Sequence, residues 1–576
     1  MNMEKRIVKQ NNSETMKISY DSFNNIDINF ISSKGGKFSD DVLSYEDGNR
    51  QIYACGVFLN SEECIEKKSC YDFRELLLKL LCDKVPLSKV LHGSYLLIVY
   101  DKLKKRLVVY NDLLSKRSVF YRYDEASKRL FISDSFLEIV KMSKEKGLPC
   151  TIDELGVKMM LWHGIFYDDV TYVREIKFLR PFDYLEVYSG DFEVKRIERE
   201  PMLDVTLDEA ASECHQRFSN AVRLQYRKNE VNGFPQITTL SGGMDSRSTF
   251  LYGWANGYAK QTGFCYAESS SADYEIARTL AAKYGCSFYY HPIDNGAHLL
   301  ERDEMCQANE GQMGYAGPTG TYDSLCFYDT DHWGIVHTGL GGGEIMGDMR
   351  VPDNPGRMER LVESLKYNMG KGKKNCTWES FVKSLQCTED DLKRIESFKS
   401  DYVDFNEFQS LNDMRRCLNS QKMAQSFGVE YMSPYLYEDF FCYMLRIPYS
   451  LTKGRKLYIY WQQKYNPRQF DTPSTFQLGC RPGNKLGYYA RRLYKYVINR
   501  MGRKMKYDMN PYEFWVTQNP LITKKQSELF AADLVHIKKY SSTEWYRMIN
   551  EAWKPNNDSC TNVLTASWAL SKILNS

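Results

Sequence analysis

Six consecutive residues, Ser241-Gly242-Gly243-Met244-Asp245-Ser246, have the types and order needed to hold a polyphosphate. Ile237 to Leu240 ahead of them is β-branched or apolar, which suits a strand covered on both faces, and the pattern turns helical from Asp245. Adjacent glycines let backbone N–H groups close on an anion with no Cβ in the way, and a helix start adds unpaired donors and a positive dipole end. Ser241 and Ser246 can donate hydroxyl hydrogen bonds, and Asp245 sits where a carboxylate could hold Mg2+ against phosphate oxygens. The bland alternative is a strand-to-helix turn with glycine for tightness; residue type, spacing and context together favour the cradle.

A second glycine-rich stretch, His337-Thr338-Gly339-Leu340-Gly341-Gly342-Gly343-Glu344, follows a strand candidate at Gly334 to Thr338. Its glycines permit close backbone approach to a ligand. Further on, Lys456 in the run Lys453-Gly454-Arg455-Lys456 offers a flexible ammonium suited to charge growing on phosphate oxygens, against the plain reading of one more exposed loop cation.

Ser-Gly-Gly-Met-Asp-Ser resembles the SGGxDS loop of the ATP pyrophosphatases, which bind ATP and cleave between its α and β phosphates; no GxxxxGK[ST] loop occurs. The second stretch resembles the SGEGSDELFGG of the asparagine synthetases: Thr338, Gly339, Gly341, Glu344 and Gly347 match, Leu340 replaces the glutamate that handles ammonia, and Gly343 replaces a metal-binding aspartate. Its Thr-Gly-x-Gly opening is also similar to that of β-lactam synthetases and lasso-peptide cyclases, which use a substrate amine. FGVEYMSPYLYEDFFCYMLRIPYSLTKGRKLYIYWQQ resembles the family's GVExRxPFLD…LP…K…LR region, with Glu430 and Pro434 matching, Met432 and Tyr437 substituted, and Lys456 on the family's lysine. Glu430 reads as a structural carboxylate in need of a partner.

The resemblance implies an ATP-dependent, amide-forming ligase that activates a carboxylate, aspartate in the family, as an acyl-adenylate captured by an amine or ammonia. A specialised ligase of the cyclase type and a degenerate ATP-binding member are its alternatives. It assigns Leu240, Ser241, Gly242, Gly243, Asp245, Ser246, Thr338 and Gly339 to the nucleotide, Asp245 to Mg2+, and Lys456 and Glu344 to catalysis. Cofactors expected are ATP and Mg2+, partners a small carboxylate and an amine or ammonia, with a homodimer left open.

The elements that must position these residues divide the chain in two. From Gln236, strand candidates Gln236 to Leu240, Thr262 to Ala267, Ser287 to Pro292 and Gly334 to Thr338 alternate with helices, one at Ala272 to Tyr284. That alternation predicts a doubly wound parallel sheet with its ligand at the strands' carboxyl ends, in an α/β fold. Thr206 and Glu209 spell a capping box, and Ala211, Cys214, Phe218 and Val222 form a stripe expected to pack on that sheet. Residues 357–470 read as mostly helical, and the tail from Gly479 as basic at GYYARRLYKYVINRMGRKMKY, a solvated face by default.

The first 200 residues read instead as an antiparallel β domain: strands at Gln51 to Leu59, Ser94 to Tyr100, Leu107 to Tyr110, Val119 to Tyr123 and Leu130 to Ser133, with helices at Tyr71 to Cys82 and Asp153 to Phe166. GSYLLIVYDKLKKRLVVYNDLLSKRSVFYRYDEASKRLFISD resembles the amidotransferase domain of asparagine synthetases. There the family's Arg-Asp-x-x-Gly is Asn111-Asp112-Leu113-Leu114-Ser115, its oxyanion-hole Asn-Gly is Cys55-Gly56 behind shortened strands, and Asn2 follows Met1 where the family exposes a cysteine nucleophile. A degenerate N-terminal-nucleophile (glutaminase-like) domain over 1–200 and a pyrophosphatase domain with a helical C-terminal part over 201–576 are therefore expected, the first unable to hydrolyse glutamine. Cys55 reads as a structural thiol.

Across 576 residues, 43% are hydrophobic and 26% charged, a globular composition. The net charge of +3 argues against nucleic acid, and no apolar run approaches a membrane span. Sixteen cysteines without a CxxC pair, and an N-terminus with no apolar signal core, predict reduced thiols in the cytoplasm.

Overall fold

The computed structural model describes residues 15–347 and 378–575, apart from 22–24, 32–36, 39–40, 84, 189–190, 318, 476–477, 480–484, 502–505, 508 and 556–559. Residues Asn2 and 351–377, which entered the sequence reading, lie outside these.

Among the described residues, eleven strands form two antiparallel sheets. They are β1 (Thr15–Asp21), β2 (Asn25–Ile31), β3 (Leu43–Glu46), β4 (Arg50–Phe58), β5 (Gly93–Asp101), β6 (Arg106–Asn111), β7 (Phe120–Asp124), β8 (Arg129–Ser133), β9 (Lys177–Phe178), β10 (Asp183–Tyr188) and β11 (Asp191–Arg196). One sheet runs β2-β1-β8-β7-β9, the other β11-β10-β6-β5-β4-β3. The near-continuous apolar run of β5 is explained by its two buried faces: Leu96 and Ile98 meet Leu130 and Ile132 of the other sheet, while Leu97 and Val99 meet a core that includes Leu76, Leu77 and Leu80. The hairpin β1–β2 was not anticipated. Among the described residues three strands precede β4, and of these only β3, four residues long, lies beside it.

Helices α1 (Ser61–Lys68), α2 (Phe73–Leu80), α3 (Phe136–Glu145) and α4 (Glu154–His163) fill out this half. Both helices expected here form, α2 capped by Asp72 and α4 by Asp153, whose side chains accept from Glu75 N and Leu155 N. α5 (Leu207–Val231) opens with the Thr206/Glu209 capping box. Its stripe is buried, but Phe218 packs against Tyr252, Tyr435, Phe440 and Trp461 rather than on the sheet. The sheet contact comes from lower on the helix, where Tyr226 bonds Thr238 and stacks on His337.

The second half is built on a five-stranded, all-parallel sheet, β14-β13-β12-β15-β16, made of β12 (Gln236–Thr239), β13 (Gln261–Ala267), β14 (Ser287–Pro292), β15 (Ile335–His337) and β16 (Glu430–Met432). The doubly wound arrangement is as expected, with α6 (Met244–Ala255) and α7 (Ala272–Lys283) as crossovers. The described part of 357–470 is mostly helical, as read, but β16 within it was not anticipated: three residues inside a helical region pair with β15, with Glu430 opposite Ile335. Sequence order reverses across β12, with β13 on one side and β15 on the other, so a crevice opens between the loops that follow β12 and β15.

Candidate functional site

The loop after β12 enters α6 through Gly243, an extended N-cap with no side chain bonding the first turn. The helix therefore begins with uncapped N–H donors and its dipole end open. Ser241 N–H donates to Ser246 Oγ at 3.2 Å, and the two serine hydroxyls stand 3.1 Å apart. The glycine donors are used differently from the expectation. Gly242 N–H goes to Asp273 Oδ1 (2.9 Å) and Gly243 N–H to Ser241 Oγ (3.1 Å), so the open donors begin with the first turn of α6 itself. Leu240 is buried and bonds Phe264 O through its N–H (2.7 Å), holding the loop to β13.

The loop after β15 lies directly against this turn. Thr338 N–H bonds Met432 O (2.8 Å), and Thr338 O accepts from Thr249 Oγ1 (3.0 Å), tying the loop to β16 and α6. A Cβ on Gly339 would lie 2.3 Å from Ser246 N, and one on Gly342 would lie 2.6 Å from Asp245 Cγ. These glycines thus permit close approach to the other loop. Gly341, at φ +81°, turns the chain into the short helix Gly342–Ile345. Glu344 is half-buried there, in a short helix that packs against the helix Phe405–Gln425.

Lys456 is the exposed first residue of the helix Lys456–Tyr465. The inward-facing cation is its neighbour. Arg455, buried and at φ +63°, puts Nη2 3.3 Å from Asp245 Oδ2 and its guanidinium over the Tyr458 ring at 5.0 Å. A left-handed arginine costs on the order of 1 kcal/mol. Asp245 Oδ1 is buried with no hydrogen-bond partner, as are Thr472 Oγ1 and Ser474 Oγ in the segment next to the loop. Arg247 ties that segment down: fully buried, it donates to the carbonyls of Gln469, Thr472, Pro473 and Gly242, and burial lowers its pKa to about 10.

An uncapped helix start, serine hydroxyls and an arginine suit polyphosphate. Mg2+ fits less completely: among the described residues no group of three or more His, Cys, Asp or Glu could hold a metal. The fit is that of an ion bound by one carboxylate, Asp245, and otherwise by phosphate oxygens.

The antiparallel half meets the parallel-sheet half through ion pairs that are buried or largely so. Arg117 Nη2 lies 2.7 Å from Glu430 Oε1, and Gln425 Nε2 2.9 Å from Glu430 Oε2, which supplies the partners that carboxylate needed. Lys116 Nζ bonds Glu438 Oε1 (2.7 Å) and the carbonyl of Leu436, the residue against which Gly341 packs. Asp112 accepts three backbone N–H groups, from Leu114, Lys116 and Arg117, while burial raises its pKa to about 6. Ser115 takes the left-handed conformation a glycine would fill (φ +56°), held by Asn111 Nδ2 at 2.8 Å from its Oγ. Cys55 is half-buried within β4 against the inter-sheet core, consistent with a structural thiol. A separate cavity of about 600 Å³ is lined by His92, Glu438, Asp439, Arg217, Arg446 and Glu407 among others, none of them singled out from sequence.

Arg455, Arg247 and Asp273 were also missed. Arg455 stood next to Lys456 in a basic run, with nothing local to say which cation turns inward. No family model matches the chain, and no curated protein matches it. Among solved structures, glutamine phosphoribosylpyrophosphate amidotransferase from B. subtilis, complexed with ADP and GMP, is similar over 49% of this chain and 60% of its own, at 8% identity and a TM-score of 0.21. A structure described as the allosteric regulatory enzyme of purine biosynthesis is similar over 50% of this chain and 76% of its own, at 9% identity and a TM-score of 0.22. The chain spans less than two thirds of the first. Likeness at this level decides neither fold nor function, and the asparagine synthetase resemblance rests on the motifs.

Proposed function

We propose that this chain is an ATP-dependent ligase of the asparagine synthetase type, joining a carboxylate to an amine or ammonia with release of AMP and pyrophosphate. The observation that carries the reading is the packing of two glycine loops at the strand-order reversal, which leaves the uncapped start of α6 beside Ser241, Ser246, Asp245 and Arg455. The start of α6 and the serine hydroxyls hold the phosphates, Arg455 and Lys456 balance the charge that grows as pyrophosphate departs, and Thr338 to Glu344 line the acyl side. Asp245 would hold Mg2+ together with the phosphate oxygens, and the ion would supply further charge neutralisation there. The antiparallel half, residues 1–200, is a glutaminase-like domain that has lost its chemistry and serves the 201–576 half as a packing partner.

A specialised ligase that takes a substrate amine is the second reading, favoured by Leu340 in place of the ammonia-handling glutamate. ATP–pyrophosphate exchange with Mg2+, with aspartate and then a panel of carboxylates, tests both. Aspartate-dependent exchange supports the synthetase, and exchange with another acid alone supports the specialised ligase. ATP binding by calorimetry without exchange on any acid would make the chain a degenerate nucleotide binder; no ATP binding would overturn the site.

A further inference from the structure

Residues 485–501 carry five lysines and arginines and no acid, more positive charge than the net +3 of the whole chain. The helix Lys485–Arg500 within them is turned the opposite way from an ordinary surface helix. Leu486 (87% exposed), Tyr489 (49%), Leu493 (59%), Val497 (46%) and Met501 (60%) follow at i, i+3, i+7, i+11 and i+15, one continuous apolar face in solvent. Tyr488, Arg492 and Ile498 are the half-buried side. Both ends of the excursion are fixed beside the phosphate site. On the way out, Thr475 N–H bonds Gly242 O (2.9 Å) and Arg491 Nη1 bonds Leu478 O (2.5 Å). On the return, Ala272 N–H bonds Lys506 O (2.6 Å) and Glu268 N–H bonds Met509 O (3.2 Å).

We propose that this helix is an interfacial anchor that lays its apolar face into an anionic lipid surface. Charge complementarity selects the occupant. A second copy would bring two acid-free cationic segments together, and nucleic acid would satisfy the cations while leaving Leu486, Leu493, Val497 and Met501 in water. An anionic bilayer takes both: the aliphatic side chains enter the acyl boundary, tyrosines sit at headgroup level and the cations meet lipid phosphates. The anchor is peripheral, since no helix of the described residues is long and apolar enough to cross a membrane. This departs from the sequence reading of a solvated face with no membrane partner, and it does not depend on the nucleotide chemistry.

The test is co-sedimentation of the full chain with phosphatidylcholine vesicles, with and without phosphatidylglycerol, at low and high salt. The expected result is binding only to the anionic vesicles. Leu493→Asp with Val497→Asp, both on the exposed face, should weaken it at least about tenfold with an unchanged thermal melt. Lys485→Gln with Lys495→Gln should weaken it on the order of tenfold and reduce its salt dependence. No sedimentation with anionic vesicles, or sedimentation indifferent to the Asp variants, would overturn the proposal. So would lipid-free self-association in sedimentation velocity that those variants abolish, which would give the face to a second copy.

Discussion

Asp245 and Arg455, 210 positions apart in the chain, meet with Nη2 3.3 Å from Oδ2, and the other carboxylate oxygen is buried without a hydrogen bond. One carboxylate thus holds a cation on one side and keeps a vacant acceptor on the other. Asp245→Asn keeps the shape and removes the charge. It should lower ATP–pyrophosphate exchange by about 10²–10³ while leaving the urea midpoint nearly unchanged, and Arg455→Ala should cost exchange by a similar factor. Near-normal exchange in either variant would remove that residue from the site.

Gly339→Ala tests whether loop packing sets the geometry. Its Cβ would lie 2.3 Å from Ser246 N, a backbone atom, so α6 or the loop must shift. A loss of about 1–3 kcal/mol in denaturant melts is expected, together with weaker ATP binding by calorimetry. Unchanged values for both would mean that the loops do not close as described.

Mg2+ titrated alone should give no saturable heat, because a single carboxylate already paired with an arginine is a poor cation site. With ATP present, binding heat should appear and vanish in Asp245→Asn. Tight Mg2+ binding without ATP would contradict the site.

The contact between the two halves should be costly to half-break. Lys116 and Glu438 are 4% and 1% exposed and 2.7 Å apart. Lys116→Met leaves a buried carboxylate unpaired and should lose about 3–5 kcal/mol in urea unfolding, most of it recovered in Lys116→Met with Glu438→Leu. A double variant no better than the single would mean the lysine acts by packing alone.

Acid should destabilise the parallel sheet through His337. Burial holds its pKa down to about 3, so between that value and its ordinary one near 6.5 the unfolded chain binds a proton the folded chain does not. Its contribution is present above about pH 6.5 and lost as pH falls toward 3. His92, lowered to about 4, acts in the same sense; Asp112, raised to about 6, acts oppositely. Stability measured against pH should be flatter in His337→Gln by about 1.4 kcal/mol per pH unit within that window. An unchanged slope would refute it.

What could be read from sequence was what local pattern determines. Alternation gave β4 to β8, and the Thr206/Glu209 pair gave the start of α5, because a cap and a strand are each specified within a few residues. The glycine loops were legible because their strands are adjacent in type and spacing. β16 was not: three residues carry no period, and their pairing with β15 comes from nearly 100 residues away. Glu430 waited for Arg117, 313 positions distant, and no local signal names such a partner. Arg455 was hidden by Lys456, since which of two neighbouring cations faces inward depends on one backbone angle.

Arg247 has a mechanical meaning as well. By holding the carbonyls of residues 469, 472 and 473 together with that of Gly242, one guanidinium clamps the chain that leaves the Lys456–Tyr465 helix to the loop that begins α6. Lysine, with a single nitrogen, could not span that set. The cations and the loop they face are therefore parts of one frame, so the distance between Arg455 and Asp245 is set by a side chain that touches neither of them.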